Sequence, residues 1–303
     1  MPIEAARTKL AVSPELNPGD PAYWKIRDVI YQYSGIYHSE DKIYILIPGC
    51  VRRMAALGVA SPTEYLKQLT TRAICGAELR LLLNEVAVGE TYMFRHPAQL
   101  DALRQVILPE ILQAKGGTGL NRLRFWCAGC STGEECHTLA MVLLEEKDKL
   151  LADWTWDILA TDLNDNSLET ARVGIYSERA LHDTSEALRR KYFKNAGEEK
   201  FQAIDALRDR IRFDRVNLGD GSQMLFQNAF DVIFCRNVLI YFDLDSKHRV
   251  VRHFYSNLLP GGYLFLGHAE SLFQVDTSFR LVHFPGTAAY WRPTALEAGG
   301  GKR

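Results

Sequence analysis

Leu123-Arg-Phe-Trp-Cys-Ala-Gly-Cys-Ser-Thr-Gly-Glu-Glu-Cys-His-Thr138 decides how this chain is read. Leu123 to Cys127 has the apolar content of a buried strand. Gly129 and Gly133 then turn the chain, and a helix continues through Leu139-Ala-Met-Val-Leu-Leu144. Strand, glycine turn and helix together form the ligand-binding corner of a doubly wound α/β sheet. Glycine at the turn lets the backbone bend and lets a ligand come close. No Lys follows, as a phosphate loop would require, so a nucleoside triphosphate is not expected.

The helix opens instead on Glu134 and Glu135. Acids at a helix start suit the macrodipole, which is sufficient reason for the pair, but they also suit a cationic ligand. A second strand, Trp156-Asp-Ile-Leu-Ala-Thr-Asp162, ends on an acid. An acid at the tip of strand two is where a ribose diol is held in this architecture. Glycine turn, Glu pair and strand-two Asp together point to S-adenosylmethionine (SAM), although each alone is weak.

The composition narrows the class. The chain has 303 residues, 36 basic and 37 acidic side chains, and a net charge of -1. That balance argues against a nucleic-acid binder, which normally carries a basic excess. No run of 18 apolar residues occurs, and the N-terminus lacks a basic-then-apolar leader, so a cytoplasmic protein without membrane insertion is expected. The six cysteines, Cys50, Cys75, Cys127, Cys130, Cys136 and Cys235, are not spaced as a disulfide framework. Cys127-x-x-Cys130 with Cys136-His137 is read as small packing residues rather than a zinc site, which wants two separated ligand pairs.

Around the corner the chain divides. Residues 1–20 are expected to be a mobile arm and 293–303 a disordered tail. Residues 21–88 read as an all-helical domain. Apolar spacing continues from Pro21 to a break at Gly35, and from Lys42 to Leu57 with a kink or boundary at Pro48-Gly49. Ser61-Pro62 starts a further helix, and another covers Ala77 to Val86. Lys42, Arg52 and Arg53 fall in a span free of acids. They fit a docking face for an acidic partner helix and, equally, a solvated surface.

Residues 89–292 read as the sheet domain. Leu100 to Ala114 is an amphipathic helix. An inserted β-subdomain is expected at about 175–212, followed by a third sheet strand ending at Val216-Asn217-Leu218. Phe230-Asp-Val-Ile-Phe-Cys-Arg-Asn237 is an apolar strand with a polar tip, where ligand contacts sit in an open sheet. Asp243 or Asp245 caps a helix to Leu259 that stops at Pro260-Gly-Gly262, and Tyr263 begins the next strand. The last strands are expected at Phe279 to Phe284 and Ala289 to Arg292. Arg95 lies just before the corner. It is suited either to hold a carboxylate bidentately or to form a surface ion pair.

With these pieces assembled, the chain resembles the CheR family of chemotaxis receptor methyltransferases over about residues 22–292. The motifs that carry the likeness are Thr91-x-x-Phe94-Arg95, Gly129-Cys-Ser-Thr-Gly-Glu-Glu135 and Ala160-Thr-Asp162. They continue in order with Val216-Asn217-Leu218, Phe234-Cys-Arg-Asn-Val238 with Ile240-Tyr-Phe-Asp243, and Pro260-Gly-Gly with Gly267-His-x-Glu270. The resemblance implies a Rossmann-like SAM-dependent methyltransferase sheet behind an N-terminal helical domain. It implies methyl transfer from SAM to glutamate side chains of a chemoreceptor, leaving S-adenosylhomocysteine.

It also implies residue roles. Asp162 would bind the ribose, and Glu135, more than Glu134, the methionyl end. Asn217 and Leu218 would lie by the adenine, and Arg236 and Asn237 on the pocket floor. Thr91 would help hold the cofactor, while Arg95 and Tyr241 would stand near the transferred methyl. Gly89 takes the place of a frequent family Asn, so a cofactor hydrogen bond is either lost or made by backbone. Cys136-His137-Thr138 replaces Pro-Tyr-Ser and is expected to alter the helix surface. Met93 replaces an aromatic and is expected to reshape the acceptor slot. Asn195-Ala-Gly197-Glu198 is too short for the glycine-rich loop of tethering members, so no C-terminal peptide tether is expected.

A glutamate acceptor has an ordinary pKa of about 4.3, so it is ionised near pH 7 and needs no general base. Alignment of oxygen, methyl carbon and sulfur is then the main task, worth roughly 7–11 kcal/mol of barrier. No essential His or Cys is expected. Three readings compete: a receptor glutamate methyltransferase, a SAM methyltransferase with another acceptor, and a SAM-binding regulatory module without turnover.

Overall fold

The computed structural model describes residues 19–71, 75–87, 89–117, 119, 121–225 and 229–294. Most of the expected N-terminal arm and of the expected tail lies outside these residues. The chain divides into two compact units, Met1–Ala87 and Val88–Arg303. No single described helix is long and apolar enough to cross a membrane.

The first unit contains α1 (Ala22–Ser34), α2 (Ile43–Leu57), α3 (Pro62–Thr70) and α4 (Cys75–Val86). Tyr23, Ile26 and Ile30 recur at helical spacing and are fully buried on α1. Gly35 ends α1 in the left-handed conformation, with its N–H on Tyr31 O. Ser61 Oγ accepts from Glu64 N at 3.2 Å and caps α3. Of the kink or boundary expected at Pro48-Gly49, the boundary is absent, since α2 runs through both residues. Gly49 is there for packing: a Cβ would sit 2.5 Å from Val86 Cγ1 on α4. The expected basic face also needs correction. Arg53 gives both arms of its guanidinium to Glu78, at 2.9 and 2.8 Å, and Tyr65 Oη donates to the same carboxylate at 2.9 Å. Arg53 is a packing element of this unit. Arg52 is exposed and paired with Glu85.

The second unit starts with α5 (Pro97–Ala102), a π-helical stretch at Leu103–Ile107, and α6 (Leu108–Lys115). The helix expected over residues 100–114 is therefore one uninterrupted helical run, with a π-helical turn just before Pro109, which has no N–H to give the preceding turn. There follow β1 (Arg122–Ala128), α7 (Glu134–Glu145), β2 (Thr155–Asp162) and α8 (Asp165–Val173). Then come β3 (Ile175–Ser177), α9 (Glu186–Tyr192), β4 (Phe193–Asn195), β5 (Lys200–Ala203), α10 (Asp205–Arg208), β6 (Ile211–Arg215) and α11 (Gly221–Met224). The unit closes with β7 (Phe230–Cys235), α12 (Leu244–Asn257), β8 (Leu258–Leu266), β9 (Arg280–Phe284) and β10 (Thr287–Trp291).

The main sheet has the order β6-β2-β1-β7-β8-β10-β9, and β3, β5 and β4 form a separate small sheet. The pairs from β6 to β8 are parallel, and β10 is antiparallel to both neighbours. Chain order reverses between β1 and β7, so the switch point lies at their carboxyl ends.

Two expectations shift. The third sheet strand is β6, which pairs Ile158 with Ile211 and so begins within the span expected for the inserted subdomain, and Val216-Asn217-Leu218 follows that strand. Its alternation of buried and exposed residues does not tell an edge strand of the main sheet from a strand of the small one, so only the pairing decides. The helix α12, capped by Asp243 on Ser246 N, ends at Asn257, and β8 already begins at Leu258. Pro260-Gly261-Gly262 lies inside an irregular stretch of β8, where the register with β7 shifts between Phe230 and Val232.

Candidate functional site

At the end of β1 the backbone N–H groups of Gly129 and Cys130 both donate to Thr161 O, at 2.8 and 2.9 Å. This pins the turn onto β2. Gly129 has φ 83°, and a Cβ there would fall 2.4 Å from Val238 Cγ2; at Gly133, φ 96°, it would fall 2.7 Å from Ala171 Cβ. Both positions therefore require glycine twice over, by conformation and by space. The turn then delivers Ser131 N to Asp162 Oδ2 at 2.8 Å, while Asn164 N reaches Oδ1 at 2.9 Å. Burial pushes the Asp162 carboxyl upward, and these backbone donors hold it down. Each oxygen keeps lone-pair capacity for a further donor.

The two glutamates of α7 face different surroundings. Glu134 is buried and accepts from Thr132 Oγ1 at 2.6 Å. Glu135 has Arg236 Nε 3.2 Å from its Oε2, with the side chains 14% and 4% exposed respectively. Burial raises the Glu135 pKa, opposed first by the charge of Arg236. The next three residues depart from expectation: Cys136, His137 and Thr138 are all buried, so the substitution alters the interior and not the helix surface. His137 Nδ1 lies 2.9 Å from both Gly133 O and Tyr176 Oη, and Tyr176 Oη donates to Thr132 O. A carbonyl only accepts, so Nδ1 carries the proton.

Gly89 is placed against this corner, since a Cβ on it would meet Ser131 Oγ at 2.3 Å. Thr91 is half-buried in the segment that follows. Met93 is fully buried, with Thr138 Oγ1 3.5 Å from its Sδ, and Phe94 N donates to the same hydroxyl at 3.1 Å. Met93 therefore belongs to the core and does not shape an acceptor slot directly. Phe94 and His96 take left-handed φ values of 57° and 60° on either side of Arg95. The Arg95 guanidinium donates to Glu90 O at 3.0 Å and lies 5.7 Å from the Tyr92 ring centre. Arg95 O accepts from Arg236 Nη2 at 2.7 Å. Arg236 thus links Glu135 to the backbone of Arg95.

Beyond Asp162, Val216 N donates to Asp162 O at 3.2 Å, which brings Asn217 and Leu218 alongside. Both are buried; Asn217 N donates to Gln223 Oε1 at 2.8 Å. Asn237 has φ 59°, and its Oδ1 is buried without a hydrogen-bond partner. Tyr241 is 38% exposed. Burial raises its phenol pKa and the charge of Arg95 lowers it, which puts the two groups in one field. These contacts join Gly89, Gly129, Asp162 and Asn217 through the loop after β1, and Arg95 and Glu135 through Arg236. The sequence reading missed Ser131, Val238 and Gln223. The glycine turn is a signal for the first and the motif ending at Val238 for the second, but nothing local marks Gln223.

Among the described residues no group of His, Cys, Asp and Glu could hold a metal ion. Burial raises the thiols of Cys127, Cys130, Cys136 and Cys235 well above their usual range. The site presents acceptors instead: the carboxylates of Glu135 and Asp162 and the unpartnered Asn237 Oδ1. SAM offers an ammonium, ribose hydroxyls and an adenine amine as donors, and a sulfonium charge. The residue set fits that ligand.

The chain matches the family model described as "CheR methyltransferase, SAM binding domain" over residues 89–287 and "CheR methyltransferase, all-alpha domain" over residues 21–87. It is 34% identical to "Chemotaxis protein methyltransferase 2" of Vibrio cholerae over 90% of this chain and 93% of that protein. It is 33% identical to "Chemotaxis protein methyltransferase" of Borreliella burgdorferi over 80% of this chain and 86% of that one. It is 30% identical to the Escherichia coli protein of the same description over 93% and 95%.

Proposed function

The chain belongs to the CheR methyltransferase family and is a SAM-dependent protein methyltransferase, and on that premise we propose that its acceptors are glutamate carboxylates of a chemoreceptor cytoplasmic domain, methylated in sensory adaptation. The observation that carries this reading is the Glu135–Arg236–Arg95 connection. It ties an acid suited to the cationic cofactor to an arginine suited to a carboxylate acceptor. Bound SAM supplies an already activated methyl group.

The protein residues then bind and orient. Asp162 holds the ribose diol with the oxygen capacity left by Ser131 and Asn164. Glu135 faces the methionyl end, and Thr91 and the Gly89 backbone close over the cofactor. Asn217 and Leu218 form the adenine wall, and Arg236 and Asn237 the floor. Arg95 leaves Glu90 O to orient the acceptor carboxylate, and Tyr241, a neutral phenol, donates to it or stands by the sulfonium. Arg95 should hold the carboxylate only loosely, because tight ground-state binding would not speed the chemical step. No residue has to remove a proton.

In the helical unit, Lys42 and Arg52 are exposed cations able to attract an acidic receptor helix. The turn between β4 and β5 closes with Ala196 N on Lys200 O and Lys200 N on Gly197 O. So short a turn supports recognition without a C-terminal peptide tether.

Transfer of isotope-labelled methyl from SAM to receptor cytoplasmic domains tests the assignment. The label should be base-labile and should vanish when the target Glu residues become Ala. Asp162→Ala should weaken SAM binding at least about tenfold, as expected when a charge-assisted hydrogen bond is lost. Arg95→Ala should lower kcat about 100-fold with SAM affinity nearly unchanged, the pattern of lost orientation. Tight SAM binding with no labelled receptor would reject the acceptor assignment.

A further inference from the structure

We propose that Glu270 is the positioning residue that fixes the loop after β7 in its transfer-competent form; the proposal rests on the methyl-transfer reading of the same site. The Glu270 carboxylate gathers backbone donors from two loops. Its Oε2 accepts from Gly267 N at 2.6 Å and from Asn237 N at 2.7 Å, and its Oε1 accepts from Ile240 N at 3.2 Å. Gly267 follows β8, whereas Asn237 and Ile240 follow β7. One side chain therefore joins the ends of two adjacent parallel strands on the ligand side of the sheet.

Each of the tied residues has a reason to depend on that carboxylate. Asn237 is held at φ 59°, a left-handed conformation that Asn tolerates better than most non-glycine residues but that still needs a partner to favour it over right-handed φ. Its neighbours are Arg236, which reaches Glu135 and Arg95, and Val238, which packs under Gly129. A return of Asn237 to right-handed φ would therefore move the cofactor floor. Ile240 N belongs to the single 3-10 turn Leu239–Tyr241 that carries Tyr241. A helix start leaves its first N–H groups without partners, and Glu270 supplies one. Gly267 leaves no room for another arrangement. A Cβ there would lie 2.7 Å from Glu270 Oε2 and 2.8 Å from Asn237 N. Ionised acceptors make the stronger hydrogen bonds, so the three contacts lock both loops together. Glu270 is close enough to the cofactor floor for its charge to act on Glu135.

The test compares wild-type protein with Glu270→Gln, Glu270→Ala and Gly267→Ala. It uses calorimetric titration with S-adenosylhomocysteine, steady-state methyl transfer to receptor domain, and thermal unfolding. In Glu270→Gln one carbonyl oxygen can still accept from Asn237 and Gly267, while the amide opposes Ile240 N–H. The expected result is a Kd within about threefold of wild type and a kcat lowered about tenfold, with KM for receptor unchanged. Glu270→Ala loses all three contacts and should raise Kd about tenfold and lower kcat about 100-fold, while unfolding cooperatively. Gly267→Ala keeps the carboxylate but drives a Cβ into it, and should follow Glu270→Ala.

Unchanged Kd and kcat in Glu270→Ala would overturn the proposal. So would equal losses in Glu270→Gln and Glu270→Ala that track their loss of stability, because Glu270 would then serve the fold alone. If wild-type protein labels no receptor, the acceptor assignment fails by itself, and the order of the Kd values still decides the role of Glu270.

Discussion

Two buried arginine–glutamate pairs, one in each unit, have the same chemical partners and opposite states of completion. In the helical unit Arg53 and Glu78 meet through two bonds of 2.9 and 2.8 Å, and Tyr65 Oη takes up a further acceptor site. In the sheet unit Arg236 Nε stands 3.2 Å from Glu135 Oε2 without a well-aligned hydrogen bond, and burial raises the Glu135 pKa against the charge of Arg236. A closed pair has nothing to offer a ligand. An open pair at a sheet switch point keeps both charge and lone pairs available. Satisfaction, more than burial or residue type, separates the structural pair from the functional one.

The difference can be broken most severely at the closed pair. Glu78→Ala leaves Arg53 and Tyr65 with buried, unmet donors and should destabilise the protein by about 3–5 kcal/mol in denaturant unfolding. The double variant Arg53→Met with Glu78→Leu should recover most of that loss. Recovery of less than half would mean that the pair does more than fill space.

Acid titration gives the next largest expected effect, because it loads the interior behind the open pair. Burial lowers the His137 pKa from 6.5 to about 4. Below pH 6.5 the unfolded chain takes up a proton that the folded chain refuses, so stability falls as pH drops through this window. The loss approaches roughly 3 kcal/mol near pH 4. His137→Asn retains a donor for Gly133 O and should flatten the slope in stability measured between pH 6.5 and 4. An unchanged slope would show that His137 does not titrate as its burial demands.

At the open pair, Glu135→Gln should weaken SAM at least about tenfold, or 1.4 kcal/mol, through loss of a charged acceptor. Its unfolding free energy should change by only about 1 kcal/mol, since Arg236 makes no aligned hydrogen bond to this carboxylate that the amide would lose. A stability loss as large as that of Glu78→Ala would erase the distinction between the pairs. The smallest effect is expected at the solvent-exposed pair: Arg52→Ala should alter stability by at most about 0.5 kcal/mol. Any several-fold rise in the KM for receptor, absent from the SAM Kd, would then report docking through Arg52.

Particular residues show what was legible before the structure. Gly129, Gly133, Glu135 and Asp162 announce themselves because strand, turn and helix are local events, and a glycine turn has few residues able to make it. Arg236 and Asn237 are visible as the only polar residues at the tip of an apolar strand. Arg53 was misread because its partner lies 25 positions away, beyond any helical repeat. Met93 and Thr138 are 45 apart, so their mutual accommodation in the core could not be inferred from either substitution alone. Asn217 and Gln223 are near in sequence but meet through a turn that has no fixed pattern.

The sequence by itself determined the alternation of elements, the ligand corner and the chemical character of its lining. These follow from backbone preference and from residues within about one turn or one strand of each other. Only the tertiary structure decided that β6 joins the main sheet, that Cys136-His137-Thr138 faces inward, that Arg53 is closed while Arg236 is open, and that Glu270 ties the β7 and β8 loops. Those outcomes depend on pairing, burial and charge between positions far apart in the chain, where proximity is created by the fold.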